Sequence, residues 1–117
     1  MTTNYLSAGL TALLLVGCNG NMATPPSRIA VPHFSSDKYE HLECSSLKLK
    51  IDEFSLVIKE LTVAQDQRVS NSKGHLAFYG WGSGDGMETI ELVKMKGEMN
   101  AVERVYGKKN CADMNNA

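Results

Sequence analysis

CSSLKLKIDEFSLVIKEL, residues 44 to 61, decides the fold. Within it Cys44, Leu47, Ile51, Phe54, Ile58 and Leu61 recur at alternating steps of three and four. That spacing lines side chains along one stripe of an α-helix. Asp37 and Glu40 have capping-box spacing for a start, and Ser45 or Ser46 offers a second one. A matching stripe follows in Leu92, Met95, Met99, Val102 and Tyr106, with Asp85 and Glu88 again spaced as a capping box ahead of it. Gly107 suits a helix C-terminus, and Lys108 and Lys109 complement the negative end of the helix dipole there. Between the stripes, Ser70 to Gly84 is rich in glycine and predicts a turn. The fold class is therefore all-α, an antiparallel, coiled-coil-like helical hairpin over residues 37–113.

The N-terminal third has a different composition. The first charged side chain is Arg28, and Tyr5 to Val16 form an apolar run. A bilayer span needs about 20 apolar residues, so this run is too short to cross one and has the length of a signal-peptide core. Leu15-Val16-Gly17-Cys18 resembles the bacterial lipobox, where small residues admit the backbone to a peptidase and the cysteine thiol accepts diacylglycerol. The resemblance implies a lipoprotein signal peptide at 1–17 and acyl chains such as palmitate on Cys18. Asn19, where an aspartate resembles an inner-membrane retention signal, favours a periplasm-facing place on the outer membrane of a bacterial cell envelope. Residues 18–36 hold Pro25, Pro26 and Pro32 among small polar residues and predict a disordered, flexible tether. Fully stretched, such a tether spans about 60 Å.

Export also organises the cysteines. The chain has three, and assigning Cys18 to lipid leaves Cys44 and Cys111 as one disulfide in an oxidising compartment. Their midpoint falls at position 77.5, in the middle of the expected turn, so folding the chain there brings the thiols together. A two-helix core of this size needs a staple. Closing the 67-residue separation contributes about 4 kcal/mol on a chain-entropy estimate.

With Cys44 opening the first helix and Glu91-Leu92-Val93-Lys94-Met95-Lys96-Gly97-Glu98-Met99-Asn100-Ala101-Val102 leading to Cys111, the chain resembles short proteobacterial lipoproteins of unassigned function. These share a lipobox, a cysteine at the head of a first helix, a Gly-rich apolar middle, a Leu-Lys-Gly-Glu-like stretch and a terminal cysteine. In this chain Met95-Lys96-Gly97-Glu98 replaces the leucine form, and the middle is more polar. The resemblance implies a disulfide-closed hairpin and transfers no activity.

Other constellations are weaker. Twelve basic against thirteen acidic residues give no pull toward nucleic acid. Gly80, Gly82, Gly84 and Gly86 do not fit a phosphate-cradling motif, which would need glycine at Asp85 or Met87, or a Gly-Lys-Ser/Thr ending. His41 and Cys44, one helical turn apart, offer a zinc-type set with Cys111 and His75, but His75 falls at the far end of the hairpin. No serine sits in a nucleophile elbow. The sequence thus implies no enzyme, no metal and no cofactor, with small-ligand or metal binding through the His and Cys set as the alternative reading. Leu76, Phe78, Tyr79 and Trp81 cluster at the turn, where they are expected to cover the open end of the hairpin. Leu49, Leu56 and Val63 repeat every seventh residue, about 200° around the helix from the first stripe. One hairpin partner cannot cover both, so this face is expected to bind a partner helix or a second copy. The expected molecule is a lipid-anchored binding or structural module.

Overall fold

The computed structural model describes residues 20–114. Its two principal elements are α1 (Cys44–Tyr79) and α2 (Met87–Lys108), which pack antiparallel, and a short α3 (Cys111–Met114) follows. The all-α hairpin expected from the sequence is what the chain forms. Among the described residues there is no strand.

The register is nearly constant along the pair. Cys44 is joined to Cys111, Gln65 meets Thr89, Arg68 meets Glu88 and Ser72 meets Ser83, so that paired numbers sum to between 154 and 156. Each stripe faces the other: Leu47 and Phe54 on α1, and Leu92 and Val102 on α2, are buried, and the remaining stripe positions are partly buried. The apolar core occupies the disulfide half, where Tyr39, Leu47, Phe54, Ala101, Val102, Val105 and Cys111 form one cluster.

Four local expectations are corrected. The turn is far shorter than Ser70 to Gly84, because α1 continues to Tyr79 and stops only where Gly80 adopts φ 71° and its N–H bonds the Leu76 carbonyl. A single Gly74 costs such a helix only about 1 kcal/mol, which packing overrides. Asp37 opens a 3₁₀ turn (Asp37–Tyr39) instead of α1, which begins at Cys44. The Asp85 carboxylate does not cap α2; it binds residue 24 across the molecule. Gly107 lies inside α2, and the left-handed residue that ends it is Asn110 (φ 53°). Asparagine tolerates this conformation better than most side chains. The reversal there directs Cys111 back onto Cys44.

The largest difference lies before residue 44. Residues 20–43 are not a free tether. They form a strap that starts beside the hairpin turn and lies along the helices to the disulfide end. At the turn, Gly82 N–H donates to the Gly20 carbonyl at 2.6 Å, and Ala23 N–H donates to Ser72 Oγ at 3.2 Å. Midway, Lys96 Nζ donates to the Pro26 carbonyl at 3.0 Å, and Arg104 bonds the Phe34 carbonyl. At the far end, Lys109 Nζ donates to the Leu42 carbonyl at 2.7 Å. Composition suggested disorder because prolines and small polar residues bury little apolar area. This strap is held largely by polar bonds, which composition does not register, with Phe34, Tyr39 and Leu42 packing on the apolar core toward its far end.

Candidate functional site: an exposed helix face and the hairpin tip

Three buried polar side chains explain how the strap is seated. Gln65 and Ser72 continue the α1 stripe in phase past Leu61, yet both are fully buried. Gln65 Nε2 donates to the Thr24 carbonyl at 2.8 Å and to Asp85 Oδ1 at 2.9 Å, while its Oε1 accepts from Thr89 Oγ1 at 2.8 Å. Thr24 gives Asp85 both its N–H and its hydroxyl, each at 2.6 Å. Burial pushes the Asp85 carboxyl upward, but these donors from Thr24, Gln65 and Thr89 outweigh it and hold the group below the usual carboxylate range. Ser72 Oγ accepts from Ala23 N–H and, at 3.0 Å, from Ser83 N–H, so one hydroxyl ties strap, helix and turn together.

Glu98 is the third. Its carboxylate accepts from Tyr39 Oη at 2.6 Å and pairs with Lys38 Nζ at 2.5 Å. Burial opposes its charge, yet Lys38 and Tyr39 keep its pKa lowered. The Tyr39 hydroxyl is driven the other way, well above its ordinary value, by burial and then by Glu98 itself. Tyr39 also meets Phe54 edge to face, with ring centroids 6.5 Å apart. Next to Glu98, the absent side chain of Gly97 makes room for the Phe34 ring. The Lys96-Gly97-Glu98 stretch is therefore a seat for the strap. Among the described residues no buried side-chain polar atom lacks a partner.

The residues singled out from the sequence separate into distinct places. Cys44 and Cys111 form a disulfide with Cα atoms 5.4 Å apart. This joins the two sulphurs of the zinc-type set to each other, and the set is not brought together: His41 is exposed just ahead of α1, while His75 lies beside the Tyr79 ring, tilted to it, at the opposite end. Among the described residues no group of three or more His, Cys, Asp or Glu is arranged to hold a metal. A shallow polar groove of about 320 Å³ runs past Gln67, Arg68, Asn71, His75, Ser83 and Glu88. Its guanidinium is already engaged, Arg68 Nε and Nη2 donating to the Glu88 carboxylate at 3.0 and 3.2 Å and keeping the Glu88 pKa low.

Leu49, Leu56 and Val63 stand open, 69%, 66% and 52% exposed, in a line along α1. From Leu49 to Val63 is 14 helical steps, about 21 Å of helix. Polar neighbours flank it, with Lys48 paired to Asp52 and Lys50 to Glu53. The aromatic cluster does not cover the end of the hairpin. Phe78, Tyr79 and Trp81 are 87%, 78% and 60% exposed. The register explains why: with paired numbers summing to about 155, Met87 stands opposite residue 68, so residues 69–79 of α1 lie beyond the start of α2 and have only the returning loop and the first residues of the strap beside them.

Cys18 and the signal peptide lie outside the described residues. Among those described, no helix is long and apolar enough to cross a membrane. Gln65, Ser72, Asp85 and Glu98 were not singled out as strap ligands from sequence, although polar residues holding the phase of an apolar stripe at 65 and 72 are a legible sign that something polar covers it. Comparison with protein-family models, with curated proteins and with solved structures yields no match.

Proposed function

We propose that the chain is an envelope lipoprotein, acylated on Cys18 and held on the periplasmic side of a bacterial membrane, whose hairpin acts as a binding module. It takes a partner helix on the Leu49, Leu56 and Val63 face. The observation that carries this reading is the contrast on a single helix: one stripe is covered by α2, while three apolar side chains seven residues apart remain open to solvent. Isolated exposed leucines are ordinary, but a straight apolar line on a rigid, crosslinked rod is a seam for another helix. It carries one apolar residue per heptad, half that of a full coiled coil, so the contact is a modest one. The lipobox-like Leu15-Val16-Gly17-Cys18 and the resemblance to small proteobacterial lipoproteins support the anchor, and Asn19 favours the outer membrane.

A photo-crosslinking residue at position 56 of the full exported chain tests the seam. The expected result is one discrete adduct, with this chain or another, that disappears when Leu49 and Val63 are changed to Lys. Adducts that survive those changes, or none at all, overturn it. Mass measurement of the exported product tests the anchor: a diacylglyceryl-modified chain starting at Cys18 is expected, and its absence removes the lipoprotein reading.

A further inference from the structure

We infer that the tip of the hairpin docks into the headgroup region of a lipid bilayer, so that the molecule stands on the membrane tip down. This rests in part on the lipid anchor proposed for Cys18. Three observations converge on one end of the molecule.

First, the tip presents Phe78, Tyr79 and Trp81 largely to solvent, and among the described residues no second helix lies beside them. Trp and Tyr, apolar rings with one polar handle, favour the boundary between hydrocarbon and headgroups. Second, the outermost part of this end lacks charged side chains. Gly74 to Gly84 contains no Asp, Glu, Lys or Arg, and neither does Gly20 to Ser27, the strap segment lying against it. Of the two bracketing residues, Asp85 is already satisfied by Thr24 and Gln65. The other, Lys73, is an exposed amine on the flank of the tip, the kind of long side chain that reaches headgroup phosphates while its stem lies on apolar surface. The opposite end carries Asp37, Lys38, Glu40, Glu43, Lys108 and Lys109, which resist desolvation. Only one end of the rod can enter an apolar boundary at low cost.

Third, the chain enters the described structure at this end. Gly20 bonds Gly82, and a Cβ on it would meet Leu76 Cδ1 at 3.1 Å and Trp81 Cα at 3.7 Å. Cys18 is two residues earlier, within about 7 Å of chain. A lipid on that cysteine therefore brings the aromatic tip to the same surface. A long free tether would have let the hairpin sit anywhere; a strap bonded from residue 20 onward does not.

Trp81 is the only tryptophan, so its emission reports this end alone. The experiment places the exported full chain on phosphatidylethanolamine/phosphatidylglycerol vesicles and follows Trp81 emission, its quenching by aqueous iodide, and its quenching by lipids spin-labelled near the headgroup or deep in the chain. Docking gives a blue shift, protection from iodide and strongest quenching by the shallow label. Phe78→Ser with Tyr79→Ser, both exposed, is expected to leave the thermal melt unchanged and to restore iodide access. The Cys18→Ser chain measures the tip without lipid: vesicle partitioning is expected to be weak but detectable, and about tenfold weaker again when the two aromatic changes are added. A chain that co-sediments with vesicles through its lipid while Trp81 stays red-shifted and iodide-accessible overturns the docking and leaves the anchor standing. A chain found to carry no lipid, yet whose Trp81 still shifts on vesicles in a Phe78- and Tyr79-dependent way, removes the anchor and leaves the docking standing. Trp81 shielded before vesicles are added, by a protein or by residues 1–17, overturns the docking as well.

Discussion

The ring of Phe34 stands where the Cβ of any other residue at position 97 would be. A backbone-level fit of this kind makes the middle of the strap sensitive to one methyl group. Gly97→Ala is expected to eject the ring, which is only partly buried and can swing into solvent, at a cost of about 1–3 kcal/mol. Limited proteolysis between residues 29 and 36 should accelerate. Adding Phe34→Ala to Gly97→Ala should cost much less than the sum of the two single changes, since the clash is shared; additive losses would show that the ring does not depend on the missing Cβ.

The disulfide closes the apolar half of the hairpin. Replacing Cys111 with Ser is expected to remove about 4 kcal/mol on the loop-entropy estimate, a large part of the stability of a domain this size. Urea unfolding of the oxidised wild type against the variant, with the wild type under reductant as a second comparison, measures it. Equal midpoints in all three would mean that the strap and the seam suffice without the crosslink.

Stability should fall in acid for a defined reason. Glu98 and Asp85 both have folded-state pKa values below their ordinary ones, so the unfolded chain takes up protons first as pH drops. Their contribution is present above about pH 4–4.5 and is lost as pH falls through the depressed folded values. Thermal melts between pH 6 and pH 2 check this. Glu98→Gln is expected to cost about 1–3 kcal/mol at neutral pH by weakening the bonds to Lys38 and Tyr39, and to flatten the acid slope. A variant with the wild-type slope would place the acid sensitivity elsewhere.

Two neighbours on α1 should behave in opposite ways. Phe54 is buried and Leu56 is open. Phe54→Ala is expected to cost about 3 kcal/mol or more, whereas Leu56→Lys should stay within about 0.5 kcal/mol. Chemical denaturation of both variants in the reducing and oxidised states is the measurement. A large loss from Leu56→Lys would mean that this side chain is covered in solution, by a second copy or by the strap.

Much of the helical pairing was legible because alternation of three and four is a direct image of helix geometry, and the cysteine midpoint located the fold-back. Extension of α1 to Tyr79 was not, since one glycine, two serines and an asparagine lower helix propensity without forbidding a helix that has Ser72 to anchor. The strap was hidden for a related reason. Many of its attachments are backbone carbonyls and amides, those of Gly20, Ala23, Thr24, Pro26, Phe34 and Leu42, and a sequence does not spell out which backbone groups a distant Gln65 or Lys96 will find. The exposed line of Leu49, Leu56 and Val63 was legible as a phase mismatch, and its exposure agrees with that reading. The aromatic tip was misjudged because covering an open end and protruding from one have the same composition; only the overhang of α1 past Met87 tells them apart.

The strap runs parallel to the helices beneath it, from the turn toward the disulfide, and this gives the molecule a directional response to load. Tension arriving at Gly20 pulls along the length of the segment. The attachments at Ala23, Thr24, Pro26 and Phe34 then share the force side by side, in shear. A sideways lift at the same point peels them one after another and meets far less resistance. Drag along the rod is thus borne by several bonds together, while a lateral tug concentrates on the first.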